Sequence, residues 1–185
     1  MKYDYDQSEI VFNLEGHVKG GSLRALVERL TMHDLLDSNF IATFLLTYRS
    51  FTTTEEFFDL LVKRFMIQPP QNLTSEENEL WQEKKQTPIR LRVFNIMKSW
   101  LEIYYIDEAD SQCLERMREF ASTVMHEHMA FAANSLIKVI DKRVRILSSE
   151  CISLKPRSLK SGFLTIIRNF IERTTERCNF QGTSS

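Results

Sequence analysis

Several clusters of residues have the right types for chemistry, and their spacing decides how far each can go. "GHVKGGS", Gly16 to Ser22, sets two glycines five apart, as a phosphate-binding loop does. Ser22 stands where that loop needs a lysine to reach the phosphates, and no convincing apolar strand leads into it, so the stretch reads as a turn. His126-Glu127-His128 offers two imidazoles, but helical residues two apart do not face each other. A helical zinc motif sets its histidines four apart, so this run reads as a partly exposed helix end. His33-Asp34 lies at a helix exit with no serine or cysteine nucleophile pattern nearby, which favours a cap or surface position. Asp107, Glu108 and Asp110 lack the alternating oxygen ligands and central glycine of a calcium loop and read as a solvated turn. Lys138, Lys142, Arg143 and Arg145 form the local basic run, expected on the wet side of an amphipathic helix. No nucleophile–base pair, metal spacing or phosphate loop emerges. Catalytic, cofactor-binding and metal-binding residues are therefore none, and an enzyme acting alone is the weakest reading.

The chain of 185 residues is 43% hydrophobic and 26% charged, enough to build a core without disulfide or metal support. A formal net charge of -1 gives no electrostatic case for nucleic acid or an anionic membrane. Three widely spaced cysteines, Cys113, Cys151 and Cys178, argue against a disulfide framework and for a reducing compartment. The N-terminal "MKYDYDQSEI" carries acids rather than the apolar run of a signal peptide. No apolar stretch is long enough to span a bilayer. The expectation is a soluble, cytoplasmic protein without direct membrane insertion.

Helical periodicity dominates the chain. Residues 1–21 read as an irregular or briefly extended lead-in. Ser22 is the expected N-cap of a short helix with Leu26, Val27 and Leu30 inward, and Asp37 or Ser38 caps the next, with Phe40, Ile41, Phe44, Leu45 and Tyr48 on one face. Thr53-x-x-Glu56 and Thr74-x-x-Glu77 are capping-box patterns. The first opens a helix burying Phe57, Phe58, Leu61, Val62 and Phe65; the second opens a polar helix anchored by Leu80 and Trp81. Thr87-Pro88 reads as N-cap and first-turn proline of a helix over roughly 88–105. Asp110 or Ser111 should cap a helix to about Met125 with Leu114, Met117, Phe120, Ala121 and Val124 inward. A stripe of Met129, Ala133, Leu136, Ile140, Val144 and Leu147 marks another. Beyond Ser148 only "FLTIIRNFIERTTER" is amphipathic, and Phe163 to Arg173 is one candidate to cover an apolar patch. The predicted fold is all-α, a single irregular bundle of six to seven helices. The divisions are a lead-in over 1–21, a helical domain over 22–147, and a linker and tail over 148–185.

The helix "PIRLRVFNIMKSWLEIYY" holds one irregularity. Ile89, Val93, Ile96, Met97, Trp100 and Tyr104 share a stripe, while Leu91 lies nearly opposite, among Asn95, Lys98 and Glu102, with Arg92 toward the edge of that outer surface. A leucine beside an arginine on a wet face points to a partner, or to another helix of the same chain.

"LVERLTMHDLLDSNFIATFLLTYRSFTTTEEFFDLLVKRF" and "TPIRLRVFNIMKSWLE" together resemble the N-terminal domain of Ras-family guanine-nucleotide exchange factors, the Ras exchanger motif. "EGHVKGGSLRALVERLT" and "LTMHDLLDSNF" look most like the fungal members. The resemblance runs from about Glu15 to Arg145, and its core, "NF-x-x-TFL-x-TYRSF", supplies the structural signature Asn39, Phe40, Phe44, Leu45, Tyr48, Arg49 and Phe51. Phe40, Phe44, Leu45, Tyr48, Phe51, Phe57, Phe58, Leu61, Phe65, Val93, Ile96, Trp100 and Phe120 are expected to be mostly buried, with Asn39 and Arg49 as local hydrogen-bonding anchors.

The resemblance implies an all-α module without catalytic activity of its own, bracing a separate catalytic domain whose helical hairpin opens the nucleotide site of a Ras-type GTPase. The residues after Arg145 are too few for that domain, so the expectation is a fragment of a larger exchange factor or a free-standing helical adaptor. In the Son-of-sevenless branch, a Leu-Arg pair on the corresponding helix touches a second GTPase; it matches Leu91 and Arg92, while Ala132 stands where that branch has an exposed tryptophan. The implied partners are a catalytic domain within the same longer protein and a Ras-type GTPase, which would also provide recruitment to the membrane periphery.

Overall fold

Capping side chains set where the helices begin. The computed structural model describes the backbone of residues 7–152 and the side chains of residues 8–146. The chain divides into two units, Met1–Ser149 and Glu150–Ser185, and almost all described residues belong to the first. The amphipathic segment expected at Phe163 to Arg173, and the side chain of Leu147, lie outside the described residues. Helix predominates, as expected for an all-α chain, and the described part of the lead-in includes two short extended segments. Strand β1 (Ile10–Phe12) pairs antiparallel with β2 (Val18–Gly21), so "GHVKGG" contributes a strand rather than a turn alone. Asn13 closes the connecting loop, its Oδ1 accepting from Glu15 N–H (3.0 Å) and His17 N–H (2.8 Å). Gly16 takes a left-handed φ of 81° there, the conformation glycine adopts at no steric cost. Gly21 is required by proximity, because a Cβ would fall 2.6 Å from the Glu9 carbonyl oxygen.

Ser22 caps α1 (Leu23–Leu30), accepting from Ala25 N–H, and Asp37 caps α2 (Ser38–Thr47), accepting from Phe40 N–H at 2.9 Å. A 3₁₀ turn, Tyr48–Ser50, leads to α3 (Thr54–Phe65). Its cap is half a box: Thr53 accepts from Glu56 N–H, but the Glu56 carboxylate takes the Thr52 hydroxyl at 2.6 Å instead. Thr74 and Glu77 form the complete reciprocal box that opens α4 (Ser75–Trp81).

Thr87 is not an N-cap. It is helical itself, and α4 runs through a π turn (Gln82–Gln86) straight into α5 (Thr87–Ser99). Pro88 has no N–H and would crowd the carbonyl of Lys84 in a regular ladder. The widened turn, in which Thr87 N–H reaches the Gln82 carbonyl, opens the ladder just before the proline. It also turns the buried face, so Leu80 is 52% exposed and Trp81 only half-buried, while Lys85 and Gln86 are buried. A second π turn, Trp100–Tyr104, ends that rod. Short α6 (Asp107–Asp110), α7 (Leu114–Phe120), a further π turn (Ala121–Met125) and α8 (His126–Ile152) follow, the last broken at Met129, where the backbone leaves helical geometry (φ -150°, ψ 65°).

The core gathers α1, α2, α3, α5, α7 and α8 around a cluster of aromatic rings. Phe57 lies 4.9 Å from Tyr48, 5.1 Å from Phe44 and 5.1 Å from Trp100, ring centre to ring centre. Phe58, Leu61, Phe65, Val93, Ile96, Leu45 and Phe120 are buried with them. Phe40 is only partly buried. Phe51 is 51% exposed, because the 3₁₀ turn ends the stripe and leaves its ring meeting Phe44 edge-on at the rim. Val144 is also exposed: Ile140 is the last buried residue of α8 among those whose side chains are described.

Asp110 overturns the solvated-turn reading, since it is 0% exposed. Its Oδ1 accepts from the Tyr48 hydroxyl (2.9 Å), the Thr54 hydroxyl (2.7 Å) and Arg49 Nε (3.2 Å). Its Oδ2 accepts from Ile106 N–H (2.9 Å), Trp100 Nε1 (3.3 Å) and Arg49 Nη2. Arg49 Nη2 also donates to the Tyr104 carbonyl at 2.9 Å, so Arg49 is an anchor, though a long-range one. Burial alone would raise the Asp110 carboxyl. The Arg49 and Ile106 hydrogen bonds, the Thr54 hydroxyl and the Arg49 charge outweigh it and hold the group below the usual carboxylate range.

A carboxyl depressed in the folded state stabilises fully above its unfolded pKa of about 4, and that stabilisation is lost as pH falls through the folded value. Asp110→Asn should cost about 3–5 kcal/mol at pH 7, because Arg49 keeps its buried place without its counter-charge. Urea melts should show the gap between wild type and variant narrowing below about pH 4; a gap unchanged from neutral to acid pH would contradict the assignment.

Candidate interaction surface

Helix α5 carries the outward leucine as its spacing requires. Ile89, Val93, Ile96 and Met97 are buried, while Leu91 is 45% exposed and Arg92 half-exposed. Asn95 continues the wet stripe, and Lys98 and Glu102 finish it as a loose pair at 4.0 Å. Such an exposed pair holds its surroundings only weakly. Arg90, next to Leu91, turns inward: its Nε donates to the Phe65 carbonyl (3.2 Å), an orphan acceptor at the end of α3, and its guanidinium lies 5.3 Å from the Phe65 ring centre. Desolvation there lowers the Arg90 pKa.

The first turn of α8 meets the same ring. His128 lies 6.1 Å from Phe65, so the starts of α5 and α8 converge on one side chain. Three residues after His128, Phe131 is 90% exposed, among the most exposed of the large apolar side chains described. Ala132 beside it is buried. The residue put in place of an exposed tryptophan therefore faces the core, and the exposed aromatic is its neighbour. Sequence reading missed Phe131, although the signal that marked Leu91 was present. At about 100° per residue Phe131 lies nearly opposite the Met129–Ala133–Leu136 stripe.

The other candidates separate. Within the structural signature, Phe44, Leu45 and Tyr48 are buried, Arg49 reaches Asp110, Phe40 is half-buried, and Asn39 and Phe51 are exposed. Burial raises the Tyr48 hydroxyl far above the ordinary tyrosine range, so it serves as a neutral donor. His126, Glu127 and His128 are all exposed, and no group of three or more metal-ligating side chains gathers among the described residues. Cys113 is buried, and burial pushes its thiol up to about 11, which leaves it protonated and unreactive at neutral pH.

The basic run splits as well. Lys138, Lys142 and Arg145 line an open hollow on α8, whereas Arg143 turns to the π turn. Its Nε and Nη2 donate to the Leu101 (2.8 Å) and Glu102 (2.9 Å) carbonyls, satisfying acceptors at the end of the α5 rod. Its guanidinium sits 5.2 Å from the Tyr105 ring centre. No helix among the described residues is long and apolar enough to cross a membrane.

Comparison with known proteins matches residues 17–120 to the RasGEF N-terminal motif. Cell division control protein 25 of Saccharomyces cerevisiae is 34% identical over 176 residues, which cover 95% of this chain and 10% of the relative. Guanine nucleotide exchange factor SDC25 of the same species is 34% identical over 145 residues, 77% of this chain and 11% of the relative. Protein son of sevenless of Drosophila melanogaster is 28% identical over 151 residues, 68% of this chain and 10% of the relative. The chain spans about a tenth of the length of these relatives. With its matched region carrying the signature helix, α3 and the outward Leu91 helix, the chain belongs to the RasGEF N-terminal motif family.

Proposed function

We propose that this chain is a non-catalytic N-terminal module that braces the catalytic domain of a Ras-type guanine-nucleotide exchange factor. The observation that carries the reading is Phe131, 90% exposed where the starts of α5 and α8 converge, in a family whose relatives include a guanine nucleotide exchange factor by name. Covering one phenylalanine is worth about 1.5–3 kcal/mol, so a side chain left in water beside a well-filled core is a natural anchor for another domain. The bracing module works as a rigid support: its helices lock to one another through Asp110 and present the Phe131 edge in a fixed place.

A second reading has Leu91 and Arg92 touching a Ras-type GTPase directly. It is favoured by the placement of Phe131 beside Ala132, because an exposed aromatic then stands near the position where the Son-of-sevenless branch has its tryptophan. The free-standing adaptor reading rests on this same face.

Fluorescent-nucleotide release from a Ras-type GTPase tests the first reading. The chain alone should release nothing, and the chain added to a Ras-exchange catalytic domain in trans should accelerate release by that domain. Release by the chain alone would overturn the non-catalytic assignment. For the second reading, the GTPase loaded with a non-hydrolysable nucleotide is titrated against wild type, Leu91→Glu and Phe131→Ala. Losses of about 2 kcal/mol, or roughly thirtyfold in Kd, are expected for anchors of such a contact; three equal affinities would remove the GTPase from this face.

A further inference from the structure

Beyond Phe131 the outward face of α8 carries a single sign of charge. Residues 131–146 hold four cations, Lys138, Lys142, Arg143 and Arg145, and one carboxylate, Asp141. The fold engages two of these five groups: Asp141 Oδ1 accepts from Arg118 Nε at 3.1 Å, and Arg143 turns to the Leu101 and Glu102 carbonyls. Lys138, Lys142 and Arg145 stay exposed and, with Ile146, line a hollow of about 500 Å³. Neither lysine's ammonium makes an ion pair or a hydrogen bond among the described residues. Arg145 Nε donates to the Asp141 carbonyl of its own helix at 3.2 Å, which steadies the guanidinium and leaves its two Nη groups for a ligand.

The spacing turns three separate charges into one row. At about 100° per residue the three side chains leave the helix within about 60° of one another. At about 1.5 Å per residue they span about 10 Å of its length. The overall charge of -1 conceals this segregation, since the compensating acids lie elsewhere on the chain.

The character of the hollow selects its partner. It is open and its cations are exposed, so a small soluble anion would stay hydrated there and be held weakly. Its one apolar lining residue, Ile146, is already half-buried, so a protein partner would find no anchor to cover. A straight row of cations suits a plane of many anions, where each strengthens attachment about fivefold without a fixed geometry.

We propose that the Lys138–Lys142–Arg145 row is a contact for the headgroups of an anionic membrane leaflet, with α8 lying along the surface. The attachment is electrostatic, and no segment enters the hydrocarbon. Three cations together are worth about a hundredfold in partition. The contact does not depend on the bracing reading, and it is measured without a catalytic domain or a GTPase.

The test is sedimentation of the full 185-residue chain with phosphatidylcholine vesicles, either pure or containing a quarter phosphatidylserine. Wild type should bind the mixed vesicles and not the neutral ones. Lys138→Gln with Lys142→Gln and Arg145→Gln should melt like wild type, since all three side chains are exposed, and should partition about a hundredfold more weakly. Lys19→Gln with Lys63→Gln and Lys84→Gln removes the same charge from other exposed positions and should leave binding within about twofold of wild type. Raising the salt about tenfold should release wild type. Equal losses in the two triple variants, or no loss in the α8 variant, overturn the proposal. So does a wild type that ignores the mixed vesicles. If that wild type instead binds a polyglutamate peptide or inositol hexakisphosphate through the same three residues, the row belongs to an acidic partner or to a free phosphate.

Discussion

The buried carboxylate of Asp110 is the constraint around which the rest of the fold is arranged. A charge with no exposure is tolerated only when it is paired and its lone pairs are filled, and here side chains and backbone from three separated stretches do both. Tyr48 and Arg49 come from the 3₁₀ turn after α2, Thr54 from the start of α3, Trp100 from the π turn that ends the α5 rod, and Ile106 from just before α6. These donors converge on one carboxylate, so their elements must meet at one point with little freedom. The aromatic rings packed at a tilt around Phe57 then fill the space beside that point. The polar centre sets register, and the rings contribute most of the burial.

The same need for satisfied polar groups recurs at the helix ends. Arg90 serves the last carbonyl of α3, and Arg143 serves the two carbonyls left open by the π turn after α5. Each arginine lies on a neighbouring helix, so helix termination and helix packing are a single event here. The π turns belong to this account. One makes room for Pro88 inside a continuous rod, and with it moves burial from Leu80 to Lys85, Gln86 and Ile89. Leu91 on α5 and Phe131 on α8, just past the break at Met129, remain outward.

Much of the helical architecture was legible in the sequence because its determinants are local. Ser22, Asp37 and the Thr74–Glu77 box start helices with hydrogen bonds that span three residues or fewer. The stripes on α3 and α5 follow from a fixed turn per residue, and the outward Leu91 follows from the same arithmetic. Phe131 was legible too, by that rule applied to α8. The signature motif placed the chain in its family, while the physical reason for Tyr-Arg within it lay outside the motif.

What only the tertiary structure decided involves partners far apart in the chain. Asp110 reads locally as a cap in a run of acids, and only the arrival of Arg49, 61 residues earlier, makes it a buried ion-pair centre. Phe51 reads as core and is left at the rim because a 3₁₀ turn changes the periodicity on which the reading depended. Thr87-Pro88 reads as a helix start, yet a preceding π turn lets the helix continue through it. A cleft lined by Arg24, Lys63, Arg64 and Lys85 has no sequence signature, since these residues are scattered over three segments and gather only when α1, α3 and the α4–α5 rod pack. Local hydrogen bonds and helical periodicity are properties of neighbouring residues and can be read in order. Charge pairing and clefts depend on distances that exist only once the chain has folded.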